Sequence, residues 1–154
     1  MRYQIVECCL VYLSRKLLNL LLGSAGFCTA ENAVAMKYSI VQLLRWASDD
    51  DMDQYEVYEQ CCDSALFGVN LMLCIANPAT LKTNKTFLRD LFQVLNAAEV
   101  IQLTKNMAEN FKVDETLMSQ ITKTSAPRAG NAIRTPSIAA AALLISEEYL
   151  CHKQ

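Results

Sequence analysis

An apolar run in the middle of the chain, residues 65–76, is the feature that most constrains the fold. Asn70 is its only polar residue, and Gly68 within it allows a neighbouring helix to approach closely. A helix that is apolar on every face is buried on every face. We therefore expect a buried central helix over about residues 54–77, enclosed by the other helices. Pro78 ends it, because the residue before a proline avoids the helical region.

Helical spacing of apolar residues recurs on both sides of this run, and the sequence predicts no strand. Candidate N-cap residues precede several of these segments: Thr29, Asn96 with Glu99 three residues later, and Asp114. The pattern predicts an all-α fold, an irregular bundle of six or seven helices around the central one. The alternative is a short stack of helical hairpins of the armadillo or HEAT kind. The bundle is preferred, since a solenoid rarely buries one helix on all sides.

The chain of 154 residues suits a single helical domain over residues 1–154. Its hydrophobic fraction of 53% is enough to supply one core. Residues 122–134 combine Ser, Thr, Pro, Gly and Asn with little periodicity, which predicts a flexible loop. Thr135 and Pro136 then read as the N-cap and first position of a last helix over residues 137–150.

The first 22 residues are very apolar, but charged and amide side chains interrupt them at Glu7, Arg15, Lys16 and Asn19. The uninterrupted runs are shorter than the roughly 20 residues that cross a bilayer. We expect a first helix packed in the protein and no association with a membrane.

Seven cysteines are present, an odd number that cannot all pair within the chain. All except Cys28 lie in apolar helical segments, where a free cysteine acts as a small buried hydrophobe. Reduced cysteines predict an intracellular protein, cytoplasmic or nuclear. No C-x-x-C pair occurs and His152 is the single histidine, so no metal site is expected.

The acidic run at Asp49, Asp51 and Asp53 has the one-three-five spacing of a calcium loop. Gln54 stands where the loop needs glycine, and Gln60 where it needs a bidentate glutamate, which excludes an EF-hand. Carboxylates at a helix N-terminus, where they meet the positive end of the helix dipole, explain the run. A docking patch for a basic partner is the alternative.

Enzyme signatures are missing from the sequence. It has no glycine-rich phosphate loop, no H-E-x-x-H and no G-x-S-x-G. Since the single histidine lies near the end of the chain, we expect no Ser-His or Cys-His nucleophile. We expect no enzyme, no catalytic residue, no cofactor and no small-molecule substrate.

Apolar residues exceed what the core of such a bundle needs, and surplus apolar surface usually marks an interface. The first helix carries leucines on more than one stripe, so that one stripe can pack inside while another faces a partner. This predicts a protein–protein interaction or assembly module, binding a protein partner or forming a homo-oligomer. Complete burial within the monomer is the competing interpretation. The candidate partner-binding residues are Leu10, Leu13, Leu17, Leu20 and Leu21.

The alternative function is a nucleic-acid-binding helical protein, resembling a nucleocapsid unit or a silencing suppressor. A net charge of −2 gives no global attraction to nucleic acid, so binding would need a local basic surface. Two small basic groups could form one if they converge in the fold, although no aromatic residues interleave for base stacking. The candidate residues are Lys82, Lys85, Arg89, Lys123, Arg128 and Arg134.

Overall fold

The computed structural model describes residues 2–80 and 86–125, and seven complete α-helices lie within these residues. No strand occurs in this described part, so the predicted all-α bundle is confirmed. A 3-10 turn, Ala25–Phe27, joins the first two helices. The helices are α1 Arg2–Gly23, α2 Ala30–Ser48, α3 Met52–Cys61, α4 Asp63–Ala76, α5 Phe87–Val94, α6 Ala97–Asn110 and α7 Glu115–Ser125.

Several helices begin where the sequence predicts a cap. The side chain of Thr29 accepts a hydrogen bond from the backbone at the start of α2. Asn96 and Glu99 form a reciprocal capping box on α6, with both hydrogen bonds at 2.9 Å. Asp114 accepts from two backbone N–H groups of the first turn of α7. Each cap satisfies donors that a helix N-terminus leaves unpaired.

The acidic run also behaves as predicted, because Asp51 is the N-cap of α3 and accepts from Gln54 N at 3.1 Å. Asp49 and Asp50 adopt positive φ angles of 53° and 61° in the turn that precedes it. The left-handed region tolerates Asp better than most non-glycine residues. The turn is short, so it brings α3 back against α2.

The central segment is two helices rather than the single helix predicted over about residues 54–77. Cys62 separates α3 from α4 with φ −96° and ψ 4°. Its N–H donates to Glu59 O at 2.9 Å and to Tyr58 O at 3.2 Å, a bifurcated bond that tightens the last turn of α3. The break lets α3 lie against α1 and α2 while α4 enters the core.

The centre of the bundle is α4, which packs against α1, α2, α5 and α6. Half of its residues are buried: Ala65, Leu66, Gly68, Val69, Leu71, Met72 and Ile75. Complete enclosure of residues 65–76 is not observed, because Phe67 and Asn70 are partly accessible. The helix therefore has one open side, which the described helices cover only in part.

Gly68 allows a close approach of neighbouring helices in the core. A Cβ atom at this position would lie 2.9 Å from Cδ1 of Leu18 on α1 and 3.6 Å from Cδ2 of Leu103 on α6. Van der Waals contact needs more than 2.9 Å between carbon atoms. The missing side chain lets α1 and α6 both approach α4 at one level.

The buried side chains form two clusters. The larger includes Leu18, Leu21, Val69, Met72, Leu91, Leu103, Met107, Leu117 and Ile121. The smaller comprises Leu10, Ile40, Leu44, Tyr58, Cys62, Ala65 and Leu66. Both α1 and α4 contribute residues to both clusters.

The last described helix, α7, corrects one boundary. It continues through Ser125, so residues 122–125 are helical rather than part of the predicted loop over residues 122–134. Leu117 and Ile121 anchor it in the larger cluster. The remainder of that loop and the helix predicted over residues 137–150 lie outside the described residues.

Candidate protein-binding surfaces

The leucines predicted to bind a partner fall on two sides of α1. Leu10 and Leu21 are buried in the protein's own core, at 3% and 0% exposure. Leu13 and Leu20 are exposed, at 52% and 45%, and Leu17 is half-buried. The buried pair is therefore not available at the surface of this structure. The binding role of the exposed pair stays a prediction.

Leu13 and Leu20 belong to a longer exposed face, which we call the α1 stripe. Spacings of three and four residues place its members in one line along a helix. The stripe consists of Ile5, Cys9, Leu13 and Leu20, with Lys16 as its one charge. Leucine periodicity indicated half of it, whereas Ile5 and Cys9 were not among the predicted residues.

An ion pair holds α1 to the bundle on the side away from this stripe. Nη1 of Arg15 donates to Oε1 of Glu99 at 2.8 Å, and Glu99 is fully buried. Ser14, also buried, accepts from the backbone N of Ala65 at 3.0 Å. These polar contacts fix the rotation of α1 about its axis, because each has directional geometry.

Two asparagines of α6 hold the C-terminal end of α1 and the 3-10 turn. Nδ2 of Asn106 donates to Leu21 O at 2.7 Å and to Leu22 O at 3.0 Å, which satisfies carbonyls that the helix end leaves unpaired. Nδ2 of Asn110 donates to Ala25 O at 2.7 Å and to Cys28 O at 3.1 Å. The part of α1 that carries Leu13 and Leu20 is thus anchored by polar contacts from Ser14 to Leu22.

A second surface is a groove of about 400 Å³ on α3 and α4, at the bend around Cys62. We call it the acidic groove. Its rim carries Glu56, Glu59, Gln60 and Asp63. Leu66, Phe67 and Asn70 line its deeper part, and Phe67 stacks on Phe87 of α5 with ring centroids 6.1 Å apart. It occupies the open side of α4.

The three carboxylates of the groove are not neutralised by any described cation. No ion pair joins Glu56, Glu59 or Asp63 to a described lysine or arginine. Burial raises the pKa of Asp63, and the nearby charge of Glu59 raises it further. The charge of Glu59 therefore repels that of Asp63. These acidic residues were not among the predicted binding residues, although Glu56, Glu59 and Asp63 are spaced by three and four residues in the sequence, which was the available signal.

The six described cysteines are free thiols, and no three metal-binding side chains of the described segments cluster around one point. Burial raises the pKa of Cys62 to about 11 and also raises that of Cys28 and Cys61. A thiol with a raised pKa is a poor nucleophile and a poor metal ligand. Packing accounts for Cys28 and Cys62, which are buried in the two core clusters.

The predicted nucleic-acid surface is described at two positions. Arg89 is exposed on α5 and pairs with its neighbour Asp90 at 3.2 Å, and Lys123 is exposed on α7. Lys82, Lys85, Arg128 and Arg134 lie outside the described residues. Convergence of the two basic groups stays a prediction.

Within the described residues, every helix is too short or too polar to span a lipid bilayer. The family model for the DIL domain matches residues 4–111, from the start of α1 to the residue after α6. The chain belongs to the DIL domain family. Comparison with curated proteins and with solved structures gave no significant match.

DIL domains are helical, non-catalytic protein-binding domains, found in cytoplasmic proteins. Both the α1 stripe and the acidic groove lie within the matched residues, whereas α7 lies beyond them. Since α7 contributes Leu117 and Ile121 to the larger cluster, the packed unit of this DIL domain extends past the matched segment.

Proposed function

We propose that this DIL domain is a cytoplasmic adaptor that holds a protein partner on the α1 stripe. The observation that carries the proposal is the exposure of Ile5, Leu13 and Leu20 on a helix whose opposite side is anchored in the core. Apolar side chains aligned on a fixed helix offer surface to a partner without the cost of ordering the site.

The partner chemistry follows from the composition of the stripe. A helix or groove with a matching apolar face fits the leucines and Ile5, since helix recognition uses apolar anchors at spacings of three and four residues. Lys16 lies between Leu13 and Leu20 on the stripe, so it favours an acidic residue at the facing position of the partner. The proposal requires neither catalysis nor a cofactor.

A pair of matched variants tests the stripe. Leu13→Gln/Leu20→Gln removes its apolar centre, and Val34→Gln/Trp46→Gln makes the same kind of change on α2, where both residues are exposed. Glutamine keeps the net charge and a good helix propensity. Proximity labelling in cells, followed by binding of the purified partner, should show partners retained by the α2 variant and lost by the α1 variant. Equal retention, or equal loss with both variants, would contradict the proposal.

Self-association is measured separately, because a second copy of the chain is one form of protein partner. Light scattering on a size-exclusion column over a concentration series shows whether the wild type dimerises. A dimer that only the α1 variant abolishes identifies a second copy on the stripe. A dimer that survives in the α1 variant assigns self-association to another surface.

A further inference from the structure

The acidic groove has a chemistry different from that of the α1 stripe. Its volume of about 400 Å³ lies at the lower end of the range that ligand sites occupy. A buried leucine, Leu66, and a half-buried ring, Phe67, form the apolar part. Its polar rim carries only acidic and amide side chains. A ligand complementary to it needs an apolar side and positive charge next to it.

The spacing of the carboxylates further limits the class of ligand that can bind there. Glu56, Glu59 and Asp63 are spaced by three and four residues across the bend, which spreads them over roughly 10 Å along the helices. A single small cation would meet only one or two of them at ion-pair distance. Cations spaced by three and four residues along a partner helix meet all three.

We propose that the acidic groove docks a basic amphipathic helix of a protein partner, with its apolar face on Leu66 and Phe67 and its lysines or arginines against the rim. The described part of the chain supplies no counter-ion there, so a partner cation would relieve the repulsion between Glu59 and Asp63. This goes beyond binding at the α1 stripe, because it assigns a second surface and a partner of opposite charge.

The probe is a fluorescein-labelled helix of about 18 residues, long enough to be helical when bound, with Leu on one face and Lys beside it at spacings of three and four. The first control peptide has the same composition in scrambled order. Fluorescence anisotropy with the full-length protein should give tighter binding of the amphipathic probe. Equal affinity for both peptides would overturn the proposal, because it would show that binding depends on the charge of the peptide and not on its amphipathic arrangement.

Two pairs of charge-matched variants locate the binding. Glu56→Gln/Glu59→Gln and Asp49→Asn/Asp50→Asn remove the same charge, one pair at the groove and one at the turn before α3. Asparagine suits the positive φ of Asp49 and Asp50. We expect about a three- to tenfold loss of probe affinity for the groove variant, the scale of two exposed ion pairs, and little change for the turn variant. Equal losses would overturn the proposal.

Gln60→Lys places a positive charge on the rim without removing a contact, and Gln42→Lys does so on the exposed face of α2. The first variant should weaken probe binding and the second should leave it within error. Leu13→Gln/Leu20→Gln should bind the probe as the wild type does, which separates failure of this proposal from failure of the α1 stripe. Unchanged affinity in Gln60→Lys would overturn the acidic groove as the docking site.

Discussion

Arg15 on α1 and Glu99 on α6 form an ion pair between two residues that are 84 positions apart in the sequence. Glu99 has no exposed side-chain surface, and its two carboxylate oxygens accept hydrogen bonds from different donors. Oε1 accepts from Arg15, while Oε2 accepts from the backbone N of Asn96 and completes the capping box of α6. One carboxylate therefore both caps α6 and anchors α1.

Arg15→Met should lower the free energy of unfolding by about 3 kcal/mol, because it leaves the Glu99 carboxylate buried without its cation. Arg15→Met/Glu99→Gln removes the charge and keeps an acceptor for Asn96 N. The double variant should recover about 1 kcal/mol or more of that loss in urea denaturation. A double variant less stable than the single one would show that the lone charge is not the source of the cost.

Asn106→Ala should lower the free energy of unfolding by about 2 kcal/mol, since it removes the buried amide that donates to Leu21 O and Leu22 O, and Leu21 O keeps only the weak donor of the Cys28 thiol. Asn110→Ala removes two similar bonds and a longer one to Asn106 O at an exposed position, where water replaces the donor. Its cost should be below about 1 kcal/mol. Urea denaturation with an unchanged m-value measures both. Equal costs would contradict a special role for the burial of Asn106.

Gly68→Ala should destabilise the protein by about 1 kcal/mol. The contact with Leu18 at 2.9 Å costs about 1–3 kcal/mol, and the higher helix propensity of alanine offsets part of this. Gly23→Ala is the matched control, because no atom beyond its chain neighbours and its own helix backbone lies within 4 Å of the added Cβ. Thermal melts should show a lower midpoint for Gly68→Ala alone. A rise in the midpoint would mean that Leu18 moves aside freely.

The thiols should react in an order set by burial. At pH 8 the thiolate fraction of Cys62, with a pKa of about 11 in place of 9.0, is about one hundredth of that of an ordinary thiol. Timed iodoacetamide labelling with peptide mass mapping should modify the exposed Cys9 first and spare Cys62 in the folded protein. Because the folded state holds the Cys62 proton more tightly, its labelling should stay slow until the pH approaches 11. Labelling of both at one rate under native conditions would refute this order.

Local patterns in the sequence predicted a large part of the fold. Thr29, Asn96 with Glu99, and Asp114 cap the helices at the predicted places, because a cap involves only residues three or four apart. Gly68 also lies at a close helix contact as expected. The all-helical bundle follows from the spacing of apolar residues, which each helix displays on its own.

Features that depend on distant residues were not predicted. No glycine or proline marks the break at Cys62, so helical periodicity runs through it unchanged. The pairing of Arg15 with Glu99 can be seen only in the tertiary structure. The same holds for the incomplete covering of α4 by its neighbours, which leaves the acidic groove open. For the α1 stripe, periodicity could show that the leucines occupy two sides but not which side meets the core.

The sharing of α1 and α4 between the two core clusters has a consequence for how the domain comes apart. Because α1 and α4 supply buried side chains to both clusters, unfolding that disrupts one cluster also takes packing partners away from the other. Independent cooperative units would give two plateaus of opening free energy in native-state hydrogen exchange. Here the slowest amides near Leu10 and near Leu103 should exchange through one and the same global unfolding event, which leaves no half-open form to expose either cluster alone.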